Sequence, residues 1–311
     1  MGGLPMNRRR FIRNGLTGIA GLSLGATPFN LLAGNEFITI SILHTNDLHC
    51  HIEPFSEGNE NTAGKGGLAR ISEMVKRVKS ENENTLLFDA GDMFQGTPYY
   101  NYFKGELMLQ LMSAAGYDAG TIGNHEFDDG LEGILKSLHA AKFPFINSNY
   151  DFSETILAGK FPRCMIFKRS DIKIGVYGLG IKLKGLVADK NFGNTVYNDP
   201  LKTALEMESF LKNDKKCDLV VCLSHLGFGY KEDQISDMVL AAETSFTDLI
   251  IGGHTHSFLE EPVITKGKTG NQVIVNQASW GGLVLGKIDF IFERSGNKKE
   301  KVFSQNINYE A

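Results

Sequence analysis

Aspartate, asparagine and histidine residues recur in five short clusters along the chain, and these side chains bind divalent metal ions or transfer protons. The clusters contain Asp47 and His49, then Asp92, then Asn124, His125 and Asp128, then His225, and last His254 and His256. One Asp-x-His alone is usually a turn or a cap. Five clusters in succession are difficult to attribute to chance, so we interpret them as parts of one metal centre.

The spacing within the clusters suits metal binding. Asp47 and His49 are two positions apart, so in an extended segment both side chains project to one side and can hold one divalent ion. Asp92 lies in a glycine-containing loop, from which its carboxylate could bridge two ions. Asn124 offers an amide oxygen, and Asp128 offers a carboxylate that could orient a neighbouring imidazole ring.

Each cluster directly follows an apolar run that is typical of a buried strand. We predict strands at residues 38–43, 86–88, 145–146, 172–177, 219–223, 249–251, 273–275 and 283–292. Helical spacing of apolar residues predicts helices at residues 68–79, 99–115, 131–141 and 201–212. Alternating strands and helices predict an α/β layered fold, with an antiparallel section near the end where strands dominate. In such folds the functional site lies beyond the carboxyl ends of the strands, where the clusters fall.

The composition of the chain limits the classes of function that it can have. The 311 residues are 42% hydrophobic, which suffices for one sizeable core, and the net charge is −4. Without the first 34 residues, 28 basic residues face 36 acidic ones, a net charge of −8. A body of that charge has no general attraction to a nucleic-acid polymer. Four cysteines are too few for a disulfide scaffold, and we expect Cys217 and Cys222 to be buried free thiols.

The N-terminus has the layout of a targeting segment. A basic cluster at residues 7–13 precedes an apolar, glycine-rich stretch at residues 15–32, and the paired arginines resemble a twin-arginine export signal. We therefore expect residues 1–34 to be a signal segment, the protein to be exported to the periplasm, and membrane contact to be transient. The alternative is a basic anchor that stays attached. Asn35 stands where a lipidated cysteine would be, so we expect no lipid anchor.

The order of the five clusters resembles the signature of the calcineurin-like metallophosphoesterases. The sequence around Asp47-Leu48-His49, Gly91-Asp92 and Gly123-Asn124-His125-Glu126 is similar to the catalytic domain of exported bacterial 5′-nucleotidases. The tail from Gln277 through Trp280 is also similar to the end of that domain. The resemblance covers residues 38–292, nearly all of the expected catalytic domain at residues 35–311.

The resemblance implies a fold and a ligand set. The fold would be a four-layer αββα sandwich, with two mixed β-sheets packed face to face and helices outside. One ion would be held by Asp47, His49 and His256, the other by Asn124, His225 and His254, with Asp92 bridging them. This ligand set favours Mn, Zn, Fe or Co over Mg or Ca. A water activated between the ions would attack phosphorus, with His125 stabilising charge or protonating the leaving oxygen and Asp128 fixing the His125 ring.

The implied function is that of a metal-dependent phosphoric ester hydrolase. We expect a 5′-nucleotidase-type phosphomonoesterase acting on a small phosphorylated substrate, with cyclic 2′,3′-phosphodiesters and nucleotide sugars as further candidates. Full-length members of this branch carry a second domain that binds the base, and we expect no such domain within these 311 residues. A separate chain could supply that domain, the phosphate alone could select the substrate, or the sequence could be truncated.

Two further functions remain open from the sequence. The same site could cleave a sulfur substrate, as in the exported thiosulfohydrolases. The domain could instead be one half of a complex, either a catalytic half that is inactive alone or a metal-binding half that is not an enzyme. His44, in a strand, and His51 and His139 are each expected to be structural or simply exposed. Glu126 is expected to form a hydrogen bond rather than to ligate, and Trp280 either to pack or to line the mouth of the site.

Overall fold

A computed structural model describes residues 37–56, 62–231, 234–295 and 298–311. Within residues 294–310 it describes the backbone only. The expected signal segment at residues 1–34 lies outside these ranges. Residues Ile38–Ala311 form one unit by their mutual contacts. Among the described residues, no helix has the length and apolar character needed to cross a membrane.

The described strands include seven of the eight predicted strands, all but the one at residues 145–146. They are β1 Phe37–Thr45, β2 Thr85–Asp89, β3 Ala119–Gly120, β4 Tyr150–Asp151, β5 Cys164–Arg169, β6 Ile172–Leu179, β7 Val196–Tyr197, β8 Leu219–Ser224, β9 Leu249–Gly252, β10 Val263–Lys266, β11 Gln272–Asn276, β12 Val284–Ser295 and β13 Lys298–Glu310. Most central strands are buried along their whole length, as expected for strands covered on both faces.

Two mixed sheets contain most of these strands. The first sheet has the order β13-β12-β1-β2-β3, and the second has the order β10-β11-β9-β8-β6-β5. The central pairs are parallel, whereas β12 with β13, β10 with β11, and β5 with β6 are antiparallel. The antiparallel section expected near the end of the sequence is therefore present.

The helices lie between successive strands. They are α1 Leu68–Glu81, α2 Pro98–Phe103, α3 Glu106–Ala115, α4 Gly130–Leu138, α5 Asp189–Phe192, α6 Pro200–Ser209 and α7 Asp237–Glu243. A 3₁₀ turn at His125–Phe127 and a wide helical turn at Phe210–Asp214 complete the set among the described residues. Helix α1 buries Leu68, Ile71, Val75 and Val78, the apolar stripe that its sequence period predicts.

Three buried apolar clusters define the layers. One packs α1, α3 and α4 on the outer face of the first sheet, through residues such as Leu43 and Leu87. The second lies between the sheets, where Ile42 of β1 and Val221 of β8 belong to one cluster. The third packs α6 and α7 on the outer face of the second sheet, which includes Val220. The layers run helix, sheet, sheet, helix, so the expected αββα sandwich is confirmed.

Two predicted elements differ from the structure. The helix predicted at residues 99–115 is two helices, because Lys104 has a φ of 53°, which ends the first helix. Gly105 between them packs on Phe94, where a Cβ would lie 2.0 Å from a ring carbon. The strand predicted at residues 145–146 is only a bridge from Phe145 to Gly120. All four cysteines are free thiols, and Cys217 and Cys222 are buried, as expected.

Candidate metal centre and active site

The carboxyl ends of five strands bring the predicted clusters together. Asp47 and His49 follow β1, Asp92 follows β2, Asn124 and His125 follow β3, His225 follows β8, and His254 and His256 follow β9. These strands are neighbours within the two sheets, so their ends meet at one edge of the sandwich. Residues more than 200 positions apart in the sequence thereby come into contact.

The first group of donors contains Asp47, His49 and His256, whose ligand atoms lie within 4.8 Å of one another. Nε2 of His256 lies 3.3 Å from Oδ1 of Asp47 and 3.0 Å from Nε2 of His49. Asp47 is fully buried, whereas the side chain of His256 is 39% exposed. This group is therefore open to solvent on the His256 side.

The second group contains Asp92, His225 and His254, again with ligand atoms within 4.8 Å of one another. Oδ2 of Asp92 lies 3.0 Å from Nε2 of His225. Asn124 joins this group, because its Oδ1 lies 2.9 Å from Nδ1 of His254. The Asp47 carboxylate accepts hydrogen bonds of 3.0 and 3.1 Å from the backbone N–H of His254, so the two groups are adjacent.

The residues present fit divalent cations. Nε2 of His225 is fully buried, has no hydrogen-bond partner of acceptable geometry among the described residues and lies 3.0 Å from Oδ2 of Asp92, so a cation held by these two atoms would satisfy the buried nitrogen. Burial lowers the pKa of His254 to about 4 and also lowers the pKa of His49, which favours the neutral rings that a metal ligand must have. Burial acts to lower the pKa of His225 as well, but the Asp92 and Asp47 carboxylates outweigh it and raise the pKa to about 10, so a cation would have to displace that proton. For Asp92, burial acts to raise the pKa, but His225 beside it outweighs burial and the pKa lies below its usual range.

Glycines allow the loops to approach the donors. A Cβ on Gly123 would lie 2.3 Å from Oδ1 of Asp92 and 2.5 Å from Nε2 of His225. A Cβ on Gly91 would lie 2.7 Å from the backbone nitrogen of Gly123. Both positions therefore exclude any larger residue.

The predicted proton-transfer pair lies beside the first group. Nδ1 of His125 is 2.8 Å from Oδ2 of Asp128, and each side chain is about one-third exposed. The hydrogen bond to Asp128 raises the pKa of His125 to about 9, against the opposing effect of partial burial. The rings of His125 and His49 are 5.3 Å apart, so the pair is within reach of a substrate at the donor groups.

Comparison with known proteins agrees with this geometry. The family model for the calcineurin-like phosphoesterases matches residues 40–258. This chain belongs to that family. Divalent metal ions are implied by the family, and the family together with the relatives indicates a metal-dependent phosphoester hydrolase.

Several relatives of this phosphoesterase have names that denote nucleotide hydrolases. An apyrase of Tabanus yao is 32% identical over 83% of this chain and 49% of its own length. The 5′-nucleotidase of Homo sapiens is 30% identical over 89% of this chain and 50% of its own length. The structure of a 5′-nucleotidase precursor from Thermus thermophilus superposes with a TM-score of 0.76 at 30% identity, over 88% of this chain and 54% of that chain. The chain thus spans about half the length of the curated relatives it matches.

Glu126 of the phosphoesterase is not among the donors. It is buried, and its carboxylate accepts hydrogen bonds from the backbone N–H groups of Asp92, Met93, Phe94 and Gly123, at 2.6 to 3.1 Å. Burial raises the pKa of Glu126 to about 7, while these N–H groups act to lower it. Glu126 therefore joins the loop that carries Asp92 to the loop that carries Asn124, a hydrogen-bonding role as expected.

Two supporting residues were not singled out from the sequence. Asn46 donates 2.6 Å hydrogen bonds to the Asp47 carboxylate and to the Ser279 carbonyl. Gln277 donates to the Gly253 carbonyl at 2.8 Å and accepts from the Ser257 N–H at 3.0 Å, which supports the loop that carries both late histidines. Asn46 and Gln277 lie in stretches that resemble the family, which was the one available signal for them.

The remaining histidines have the structural surroundings expected for them. His44 is fully buried in β1 and lies 3.0 Å from the Asn276 amide. His51 stacks on Phe55 with ring centroids 4.3 Å apart. Trp280 lies at the mouth of the site, where its ring is parallel to that of His256.

Proposed function

We propose that this chain is a dinuclear-metal phosphomonoesterase of the 5′-nucleotidase type that releases phosphate from nucleoside monophosphates. The observation that carries the proposal is the contact between two three-residue donor groups beside the His125–Asp128 pair. Named 5′-nucleotidases among the relatives support the choice of a nucleotide.

Each donor group would hold one ion. Asp47, His49 and His256 would hold the first, and Asp92, His225 and His254, with Asn124, would hold the second. Imidazole and carboxylate donors favour Mn, Zn, Fe or Co. When bound, such ions polarise phosphoryl oxygens and lower the pKa of a nearby water. A bridging role for Asp92 remains a prediction, since its Oδ1 accepts a hydrogen bond from the His125 N–H at 2.8 Å.

His125 is the proposed acid of the reaction. Its Nδ1 is engaged by Asp128, so Nε2 is the atom left to donate a proton to the leaving oxygen. The Asp128 carboxylate fixes the orientation of the ring and favours its protonated form. Together these contacts supply a positioned proton next to the donor groups.

We also propose an exported protein, in the periplasm of a cell with two membranes. The paired arginines and the apolar stretch that follows them support this location. The relatives are about twice as long as this chain. We therefore propose that a further domain, on the same polypeptide or on a separate chain, recognises the base.

The test is phosphate release by the purified protein with Mn²⁺. The substrates are AMP, a nucleotide sugar, 2′,3′-cyclic AMP, p-nitrophenyl phosphate and a thiosulfonate ester. Asp92→Ala should abolish release, and Asp151→Ala, at an exposed aspartate in β4, should not. Release that is fastest from AMP would support the proposal.

Two other outcomes have definite meanings. Release from p-nitrophenyl phosphate alone would show that the hydrolytic site functions without base recognition. Cleavage of the sulfur substrate with none of the phosphate esters would contradict the proposal and favour the sulfur-ester alternative.

A further inference from the structure

His256 differs from the other candidate histidine ligands in how its ring is held. A metal-binding histidine usually has its second ring nitrogen hydrogen-bonded to an oxygen, which fixes the ring. In His225, Nδ1 lies 2.7 Å from the Ala90 carbonyl, and in His49, Nδ1 lies 3.2 Å from the Phe94 carbonyl. Among the described residues, no oxygen accepts a hydrogen bond from Nδ1 of His256. Its side chain is also the most exposed of the donors in the first group.

An aromatic contact takes the place of this hydrogen bond. The rings of His256 and Trp280 have centroids 5.6 Å apart and an interplanar angle of 9°, a stacked arrangement. Stacking restricts rotation of the imidazole about its own axis, which is the motion that an outer hydrogen bond would otherwise prevent. The ring of His256 thereby presents Nε2 to Oδ1 of Asp47, 3.3 Å away.

Trp280 is itself fixed relative to the donors. Its neighbour Gly281 donates a 2.8 Å hydrogen bond from its N–H to the carbonyl of Asp47. On the other side, Asn46 donates from its amide to the Ser279 carbonyl at 2.6 Å. The first bond joins the backbone around Trp280 to the backbone of Asp47, and the second joins it to the side chain of the preceding residue, Asn46.

Two further rings enclose the indole. Phe55 and His51 meet Trp280 nearly edge-on, with centroids 5.1 and 5.3 Å away and interplanar angles of 72° and 86°. Phe55 and His51 are stacked on each other. The indole is thus constrained from the His51–Phe55 side as well as from its own backbone.

We propose that Trp280 is a positioning residue that holds His256 in its ligating orientation, so that the affinity of the first donor group for a divalent ion depends on the indole ring. The inference rests on the metal centre of the proposed function, but not on the identity of the ester. It also implies an asymmetry between the groups, because His225 and His254 of the second group have no ring contact with Trp280.

The experiment measures the affinity of each group for Mn²⁺ separately, by isothermal titration of metal-free protein at pH 7.5. A His254→Ala background leaves the first group complete, and a His49→Ala background leaves the second group complete. In the first background, Trp280→Leu should raise the Kd about tenfold, the size expected from losing one aromatic stacking contact. In the second background, the same substitution should change the Kd less than about twofold.

Two companion variants separate positioning from general damage. Trp280→Phe keeps a flat ring and should restore the first-group Kd to within about threefold of the parent protein. Phe258→Leu is the matched control, because Phe258 is 54% exposed near the same loop and has no ring contact with a donor. It should leave both Kd values unchanged. Trp280 is the only tryptophan, so its fluorescence gives an independent binding curve in proteins that retain it.

Two outcomes would overturn the proposal. One is an unchanged first-group Kd in Trp280→Leu; the other is an equal loss of affinity in both groups, which would indicate general disruption. The readout does not depend on hydrolysis. A protein that binds Mn²⁺ as expected but releases no phosphate from any ester would contradict the proposed function and leave this inference intact.

Discussion

At the scale of single residues, most of the donor residues have an unusual backbone conformation. Asp47, His49, Asp92, His254 and His256 all have φ between 46° and 72°, a region that residues other than glycine rarely adopt. Such conformations persist only where the surroundings impose them. Here the imposing contacts are visible, for example the pair of hydrogen bonds from the His254 N–H to the Asp47 carboxylate. The donors are therefore held in place before any ion binds.

Asp128→Asn tests the role of the pair at the site mouth. An amide can still accept a hydrogen bond from Nδ1 of His125, but it carries no charge to favour the protonated ring, so proton donation should suffer. We expect kcat on p-nitrophenyl phosphate to fall on the order of 100-fold, with KM and Mn²⁺ content little changed. The adjacent Asp129→Asn, which loses only an exposed ion pair with Lys104, should keep its kcat. An unaltered kcat in Asp128→Asn would remove His125 from the proposed acid role.

At the scale of elements, the site depends on how loops from neighbouring strands are joined. The loop after β2 carries Asp92 and the loop after β3 carries Asn124, and Glu126 binds backbone N–H groups of both. Its position in the 3₁₀ turn His125–Phe127 directs the carboxylate inward, away from solvent. The relative position of these two loops is therefore set by one buried side chain.

Glu126→Gln tests this junction. A glutamine has one acceptor oxygen in place of two, so some of the four backbone N–H groups lose their partner, and each loss costs about 1–3 kcal/mol. We expect the free energy of unfolding to fall by roughly 2–4 kcal/mol in guanidinium titrations. Glu132→Gln, at an exposed position of α4, is the control and should unfold like the parent. If Glu126→Gln is as stable as the parent, the hydrogen bonds that Glu126 accepts from the two loops do not contribute to the stability of the fold.

Gly105→Ala tests the close packing of Phe94 on the junction between α2 and α3. The added Cβ would lie 2.0 Å from the ring of Phe94, in a tightly packed part of the core. Displacing that ring should cost about 1–3 kcal/mol of unfolding free energy. Gly229→Ala is the matched control, because a Cβ there meets no atom within 4 Å. Equal melting temperatures for the two variants would show that Phe94 does not pack tightly on Gly105.

At the scale of the whole molecule, the two sheets are joined by a polar contact within an otherwise apolar interface. His44 of β1 lies 3.0 Å from the amide of Asn276 in β11, and the interface around it includes Ile42 and Leu223. A Cβ on Gly286 would lie 2.1 Å from the His44 ring, so the neighbouring strand β12 has a glycine at that point. Burial lowers the pKa of His44 to about 3.

This buried histidine should make stability depend on pH. A folded-state pKa of about 3, against 6.5 in the unfolded chain, means that the neutral ring stabilises the fold fully above pH 6.5. That contribution is lost as the pH falls from 6.5 towards 3, and between pH 7.5 and pH 5 it amounts to about 2 kcal/mol. His44→Gln should lack this part of the loss when guanidinium unfolding is compared at the two values.

The matched control is His139→Gln, which changes an exposed histidine in the same way. It should keep the pH dependence of the parent. Only the substitution at His44 should then reduce the loss of unfolding free energy between pH 7.5 and pH 5. A parent and a His44→Gln variant with equal losses between pH 7.5 and pH 5 would contradict the prediction.

The sequence by itself determined the fold class and the candidate donors. Long apolar runs and helical stripes are local patterns, and burial on both faces of a sheet makes central strands such as β8 and β9 almost entirely apolar. Parallel strands place their carboxyl ends at one edge, so polar residues that follow them were expected to meet. For that reason the donors could be named before any distance was known.

Only the tertiary structure decided the rest. The edge strands β5 and β10 are half-exposed and mix polar with apolar residues, so no local pattern distinguishes them from loops. The packing of Gly105 on the ring of Phe94, where α2 and α3 separate, depends on tertiary contact. The stacking of Trp280 on His256, across the loop that returns to Asp47, likewise depends on contacts between residues far apart in the chain. Such contacts form only once the strands have paired, and that is why spacing along the sequence could not predict them.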